Sequence, residues 1–184
     1  MGDIMVIQFA TLDGVVSDPD GRGGTSYGGW AFRYGSGPVA DDKFRLGERM
    51  EQGVQLYGRR TWEAFSKVWP GRDSEYAKLM NRVPKRVATS TGIDAEAWEN
   101  SAAIDGDPVS WAVREREVRD VVVIGSLSLV RALAAADAVD EYRLITFPVA
   151  VGEGDRLFQQ GEFRFTQVEQ VDAAVYTVLR RASE

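Results

Sequence analysis

Val121-Val122-Val123-Ile124 is a run of four β-branched apolar residues, stopped by Gly125-Ser126 and followed by Leu127, Val130 and Leu133 at helical spacing. A short apolar run without alternation marks a strand buried on both faces, as in a parallel sheet covered by helices. The unit is therefore strand, tight turn, helix, and it restricts the chain to an α/β architecture. Such a turn sends the first N–H groups of the helix, with its positive dipole end, beyond the carboxyl edge of the strand. An anionic ligand, typically a nucleotide phosphate, binds at that edge of an open α/β sheet. An ordinary crossover with Ser126 as N-cap accounts for the same residues, so the turn needs support from its surroundings.

The remaining elements follow from pattern and punctuation. Ile4 to Ala10 reads as a buried first strand ending at Thr11-Leu12-Asp13-Gly14. From Gly14 to Gly37, ends included, there are eight glycines with Trp30, Phe32 and Tyr34 among them. That length suits a lid or binding loop, and its aromatics argue against disorder. Asp41-Asp42 are expected to open a helix to about Gln52, and Val54 to Tyr57 reads as a strand. Gly58-Arg59-Arg60-Thr61 then begins a helix carrying Trp62 and Phe65, a second strand-glycine-helix start. Asp73 is expected to cap a helix from Glu75 to Asn81, and Arg86 to Thr89 is a strand ending in Ser90-Thr91-Gly92. Asp107-Pro108 opens a helix to about Val118, with an N-cap carboxylate and proline at its first position. Asp140 to Phe147 reads as a strand, while Phe163 to Val171 and Ala174 to Arg180 form a closing antiparallel pair. The expectation is one domain over residues 1–184, a twisted and mostly parallel sheet flanked by helices with an antiparallel end.

The sequence contains neither histidine nor cysteine. That excludes Cys-His and Ser-His nucleophiles, Cys/His zinc sites and any histidine base, and no carboxylate cluster has calcium-type spacing, so no metal is expected. Reactions whose bonds are made by a cofactor suit what is left. The net charge of −6 argues against nucleic-acid and membrane partners. No uncharged stretch exceeds ten residues, and the N-terminus shows no basic segment followed by an apolar one. A cytoplasmic protein without disulfides is expected.

Individual residues admit two roles. Asp13 is either a proton relay or the first residue of an Asp-Gly turn. Arg59 and Arg60 sit where a helix disfavours cations, which points to a bound anion. Trp30 and Trp62 are candidate substrate walls or simply core. Asp140-Glu141 is expected at the surface. The closing strands alternate apolar and polar residues, leaving an edge or face to cover, and a homodimer is expected.

Seven motifs in register carry a resemblance. They are Thr11-Leu12-Asp13-Gly14, Tyr57-Gly58-Arg59-Arg60-Thr61-Trp62-Glu63, Arg86-Val87-Ala88-Thr89-Ser90-Thr91 with Trp98-Glu99-Asn100, Val123-Ile124-Gly125-Ser126, Val139 to Leu144, Phe147 to Gly154, and Leu157-Phe158. Together they resemble the dihydrofolate reductase-like family. They are most similar to the reductase domain of the bifunctional riboflavin-biosynthesis deaminase-reductase and its stand-alone bacterial relatives. The resemblance implies a three-layer α/β fold with a mostly parallel central sheet and antiparallel C-terminal strands. It also implies an NADPH-dependent reductase of a small heteroaromatic, pterin- or pyrimidine-like compound, often homodimeric. Carried over by position, Gly58, Arg59, Arg60 and Thr61 would hold the adenosine-ribose phosphate, Ser90 and Thr91 would flank the adenine, and Gly125, Ser126 and Leu127 would hold the pyrophosphate. Asp13 and Gly14 would lie near nicotinamide and substrate. Pro38 to Phe44 fits the carboxylate-bearing helix of folate reductases poorly, so dihydrofolate is not the expected substrate. Many relatives carry a double glycine where this chain has Gly125-Ser126, and no counterpart of the deaminase half is found in the sequence. A silent nucleotide-binding or ligand-sensing protein and a flavin-binding reductase are the alternatives.

Overall fold

The computed structural model describes residues 1–182. Its elements are β1 (Ile4–Thr11), α1 (Glu48–Glu51), β2 (Val54–Gly58), α2 (Arg59–Ser66), α3 (Glu75–Arg82), β3 (Lys85–Ala88), β4 (Ser101–Ala103), α4 (Pro108–Arg116), β5 (Val121–Val123), α5 (Leu127–Ala135), β6 (Glu141–Phe147), β7 (Phe163–Val171) and β8 (Ala174–Arg181). The strands hydrogen-bond in the order β4-β3-β2-β5-β1-β6-β8-β7, parallel from β4 to β1 and antiparallel through β6, β8 and β7. This is the mixed α/β architecture expected from the sequence. Among the described residues no helix is long and apolar enough to cross a membrane. By internal contacts the chain forms two units, one of residues 1–6 and 45–140, the other of residues 7–44 and 141 onward.

The first unit is built on β5. Val121 pairs with both Ile4 and Val54, and Val121, Val122 and Val123 are wholly buried. A strand between two parallel neighbours needs apolar side chains on both faces, which is why its sequence shows no alternation. β4, absent from the expected elements, pairs with β3 alone among the described residues and consists of Ser-Ala-Ala, a composition without strand signal. The helix start at residue 75 is capped by Ser74 rather than Asp73, with the Ser74 hydroxyl accepting the N–H of Ala77. Asp107 caps α4 as expected, its carboxylate accepting the N–H of Ser110 at 2.7 Å. The helix expected from Asp41 shrinks to the single turn of α1. Asp41, Arg45 and Gly47 all take positive φ, which interrupts any helix there.

Lys85 is buried at the entrance to β3, with no carboxylate in salt-bridge contact among the described residues. Its ammonium donates to the carbonyls of Asn81, Val83 (2.8 Å) and Glu99 (3.0 Å), and lies 4.6 Å from the centre of the Trp98 ring. The first two carbonyls belong to the last turn of α3 and its C-cap, which a helix end leaves unpaired. The lysine thus closes α3 and ties it to the segment before β4.

The second unit centres on the hairpin of β7 and β8 packed beside β6. Phe9, Trp30, Phe44 and Phe147 form an aromatic cluster, with Phe9 stacked on Phe44 at 5.5 Å and meeting Phe147 edge-on. The structure corrects one expectation here, for Glu141 is buried. Its carboxylate accepts Arg143 on one oxygen and Arg180 on the other, and Arg143 and Tyr176 both donate to the carbonyl of Phe44. The glycine-rich loop is ordered around Asp18, whose carboxylate accepts the N–H groups of Gly23 and Thr25 and the Thr25 hydroxyl. A Cβ at Gly28 would fall 2.2 Å from that carboxylate, so glycine there lets the loop close on it.

Burial lowers the Lys85 pKa from its ordinary 10.5 to about 8, against the raising influence of Glu99. The unfolded chain therefore holds this proton where the folded one releases it, and stability through this group rises with pH between about 8 and 10.5. Below that window the full penalty of the buried charge remains, on the order of 3 kcal/mol. In urea titrations, the stability difference between wild type and Lys85→Met should shift in favour of wild type across this interval. A difference independent of pH would contradict the assignment.

Candidate functional site

β2 and β5 are parallel neighbours, with Leu56 opposite Val123, and each passes directly into a helix at its carboxyl end. The two turns touch. The N–H of Gly58 donates to the carbonyl of Gly125 at 2.8 Å. A Cβ on Gly58 would lie 2.5 Å from the Ser126 hydroxyl and 3.0 Å from its backbone nitrogen, so only glycine admits this approach. Gly125 takes a φ of 101°, and the Gly125–Ser126 peptide is cis. Thr61 backs Gly125 from α2, its hydroxyl 3.2 Å from where a Cβ would stand.

Over these turns lies an open groove of about 580 Å³. Gly58, Arg59, Arg60, Ser90 and Ser126 of the expected cofactor residues line it. Thr61, Thr91, Gly125 and Leu127 are not in its lining. Thr91 is exposed and donates its N–H to the Thr89 hydroxyl, while Leu127 is the first residue of α5. Two lining hydroxyls were not anticipated. Thr89 is the first residue past β3, and Ser128 is hydroxyl-bonded to Ser126 at 2.9 Å. The signal for Ser128 was present as a second serine in the first turn of the helix, where side-chain oxygens gather around free N–H groups.

The groove is lined by two guanidiniums, four hydroxyls and small or apolar residues, with no carboxylate, in a chain of net charge −6. The arginines differ. Arg59 pairs with Glu63 at 2.8 Å across one helical turn. Arg60 is exposed and has no acidic or hydrogen-bonding partner among the described residues. A free cation in the first turn of a helix opposes the local dipole, and an anion in the groove relieves both.

Trp62 and Trp30 are interior in their respective units. Trp62 donates its indole N–H to the Ser101 hydroxyl, and Trp30 donates to the carbonyl of Ser17 while packing against Phe147.

Asp13 and Gly14 close the turn after β1 in the second unit. The Asp13 carboxylate accepts the Thr11 hydroxyl at 2.6 Å and the N–H groups of Gly152 and Val151 at 2.8 and 3.3 Å. These bonds, led by Thr11 and then Gly152, lower its pKa to about 2. An acid that relays protons at neutral pH needs a pKa near the working pH. The geometry is that of an ionised clamp on the loop at residues 148–154, reinforced by Leu12 donating to Val149 and Arg156 to the carbonyl of Asp13.

Placing a methyl at Gly58 forces the two turns apart. Gly58→Ala should lower stability by about 1–3 kcal/mol, the usual penalty of overpacking, measurable by urea unfolding. An unchanged midpoint would show that the turns separate freely.

Residues 3–178 match the model of the RibD C-terminal domain family. Among solved structures, a protein of Shewanella sp. PV-4 ascribed to riboflavin biosynthesis aligns with a TM-score of 0.74 at 18% identity, covering 98% of this chain and 99% of that one. A pyrimidine reductase-like protein of Corynebacterium diphtheriae aligns at 0.64 and 12% identity, over 100% and 93% of the two chains. RibD of Acinetobacter baumannii aligns at 0.62 and 16% identity, over 100% of this chain and 59% of that one. No curated protein sequence matches. The structural likenesses establish a shared fold, and the family match over nearly the whole length establishes descent. The chain belongs to the RibD C-terminal domain family, the reductase-domain family of riboflavin biosynthesis.

Proposed function

We propose that the chain is an NADPH-dependent reductase acting on a small heteroaromatic compound of pterin or pyrimidine type. The observation that carries this reading is the carboxylate-free groove over the paired turns, with Arg60 unpaired at its rim. The donor set fits the cofactor. Arg60, assisted by Arg59, holds the phosphate on the adenosine ribose, Thr89 and Ser90 flank the adenosine side, and Ser126, Ser128 and the first N–H groups of α5 hold the pyrophosphate. Bound there, NADPH supplies the hydride, which explains how a chain without histidine or cysteine carries out a reduction. Asp13 acts as a positioning residue. Held ionised, it cannot donate a proton at neutral pH, and it fixes the loop at 148–154 instead.

The cofactors NADPH and NADH differ by one phosphate, so the arginines should separate them. A site built for NADH places an acid against the ribose hydroxyl, and no acid lines this groove. Arg60→Ala should cost about 1.5–3 kcal/mol of NADPH binding, a roughly 10- to 150-fold weaker Kd. Arg59→Ala should cost less, because Glu63 already shares that guanidinium. NADH affinity should be unchanged in both. Isothermal titration at fixed salt measures all three. Equal losses for the two cofactors would mean that the arginines act through the fold, and no loss would remove the cofactor assignment. NADPH binding without oxidation in the presence of pterin and pyrimidine substrates would favour the silent nucleotide-binding alternative.

Asp13→Asn should lower kcat while leaving NADPH affinity within about twofold, since the variant keeps one acceptor but loses the charge that holds Gly152. The wild-type rate should show no titration attributable to Asp13 above about pH 4. A rate limb near neutral pH that disappears in the variant would restore the proton-relay role.

A further inference from the structure

The sequence holds three Asp-Gly steps, at 13–14, 20–21 and 105–106. Such a step is chemically labile. The glycine amide nitrogen, unshielded by any Cβ, attacks the aspartate Cγ, a five-membered succinimide closes, and one water leaves. Water then reopens the ring at either carbonyl. Opening at Cγ returns aspartate, while opening at the main-chain carbonyl leaves isoaspartate, in which the chain runs through Cβ and Cγ. Nothing but water is exchanged. The reaction requires a carboxyl group and an amide that are both at liberty to meet.

The structure treats these steps differently. At 13–14 the carboxylate accepts the Thr11 hydroxyl and the N–H groups of Val151 and Gly152, and the N–H of Gly14 donates to the Thr11 carbonyl at 3.0 Å. At 20–21 the carboxylate accepts the N–H of Arg22 and faces its guanidinium, and the N–H of Gly21 donates to the Asp18 carbonyl at 3.2 Å. Attack in either place must first break bonds to both reacting groups. Asn100-Ser101, a step open to the analogous loss of ammonia, is also held. Asn100 donates its side-chain amide to the Arg82 carbonyl, and Ser101 is paired within β4.

Asp105-Gly106 has no such restraint. Both residues are exposed, between buried Ile104 and the cap of α4 at Asp107. Among the described residues neither the Asp105 carboxylate nor the Gly106 N–H has a hydrogen-bond partner. A Cβ built at Gly106 would meet nothing within 4 Å, so the space around this residue is open. We propose that Asp105 is a site of spontaneous isomerisation in the folded protein, selected by the fold from the Asp-Gly steps of the chain. Isoaspartate there adds a main-chain atom two residues ahead of the α4 cap, on the helix whose Pro108 lines the groove.

The test ages the full native chain at neutral pH and physiological temperature and digests samples over time. Mass spectrometry with fragmentation across the Cα–Cβ bond then locates isoaspartate. Signal should accumulate at 105 and stay at background at 13 and 20. The same course in guanidinium chloride should bring all of these positions up together, because unfolding removes the bonds that hold the other two. Asp105→Glu changes an exposed side chain without partners, so it should fold as wild type. It should also lose the native signal, since glutamate would have to close a six-membered ring. Comparable accumulation at 13 or 20 in the native chain, none at 105, or an undiminished signal in Asp105→Glu would each overturn the proposal. So would silence at 13 and 20 in the denatured chain, since local sequence and not the fold would then set the difference.

Discussion

The hydrogen bond from Gly58 to the carbonyl of Gly125 joins the ends of two neighbouring parallel strands at the point where each becomes a helix. Because β2 and β5 run the same way and are adjacent, α2 and α5 must both begin at the same sheet edge. Each helix start leaves main-chain donors without partners and a positive dipole end. Two such ends meeting in one place repel each other, and Arg60 adds a full charge to them. Only Arg59 is offset within the chain, by Glu63. An anion in the groove would offset these charges, and the missing Cβ of Gly58 is what allows the two turns to meet at all.

Several buried or half-buried charges elsewhere are answered within the chain. Lys85 closes the carbonyl end of α3, and Glu141 is held between Arg143 and Arg180. In the first unit Arg49 binds Asp3 and Asp120, while Arg116 binds Asp140, which also accepts the N–H of Ile4. Such buried or half-buried groups add little net stability when complete, but removing one partner strands the other. They therefore fix which chain segments meet.

The strands of the parallel and antiparallel regions were legible because their burial dictates their composition. β5 reads as continuous apolar sequence since it has neighbours on both sides, and β6, β7 and β8 begin and end within a residue of their expected limits. β4 was not legible, because an edge strand of three small residues is specified by its pairing with β3 and not by propensity. The missing helix at residues 41–47 has a similar cause. Phe44 and Leu46 are buried two residues apart, a spacing incompatible with one face of a helix. Glu141 looked like a surface acid, since only the fold brings Arg180 to it from 39 residues away. In the groove, glycines and arginines announced themselves through their positions at strand ends, and Ser128 through its place in the first turn of α5, whereas Thr89 became visible only once β3 was placed at its wall. The closing strands read as alternating apolar and polar residues, and the register shift in β7 between Phe165 and Gln167 departs from that pattern.

The groove holds no carboxylate, and several of the chain's acids are instead held by the main chain. Asp13 accepts Gly152 and Val151, Asp18 accepts Gly23 and Thr25, Asp94 accepts Glu96, and Asp107 accepts Ser110. Each bond orders a turn or helix start while holding the charge on a loop. Bonds to the ionised form also lower the pKa, as at Asp13 and Asp107, so the ordering persists throughout the neutral range. The same physics that makes Asp13 a poor proton donor makes it a dependable anchor. It leaves the loop at 148–154 fixed by a charge that does not titrate under working conditions, while the cations of the groove remain available to a ligand.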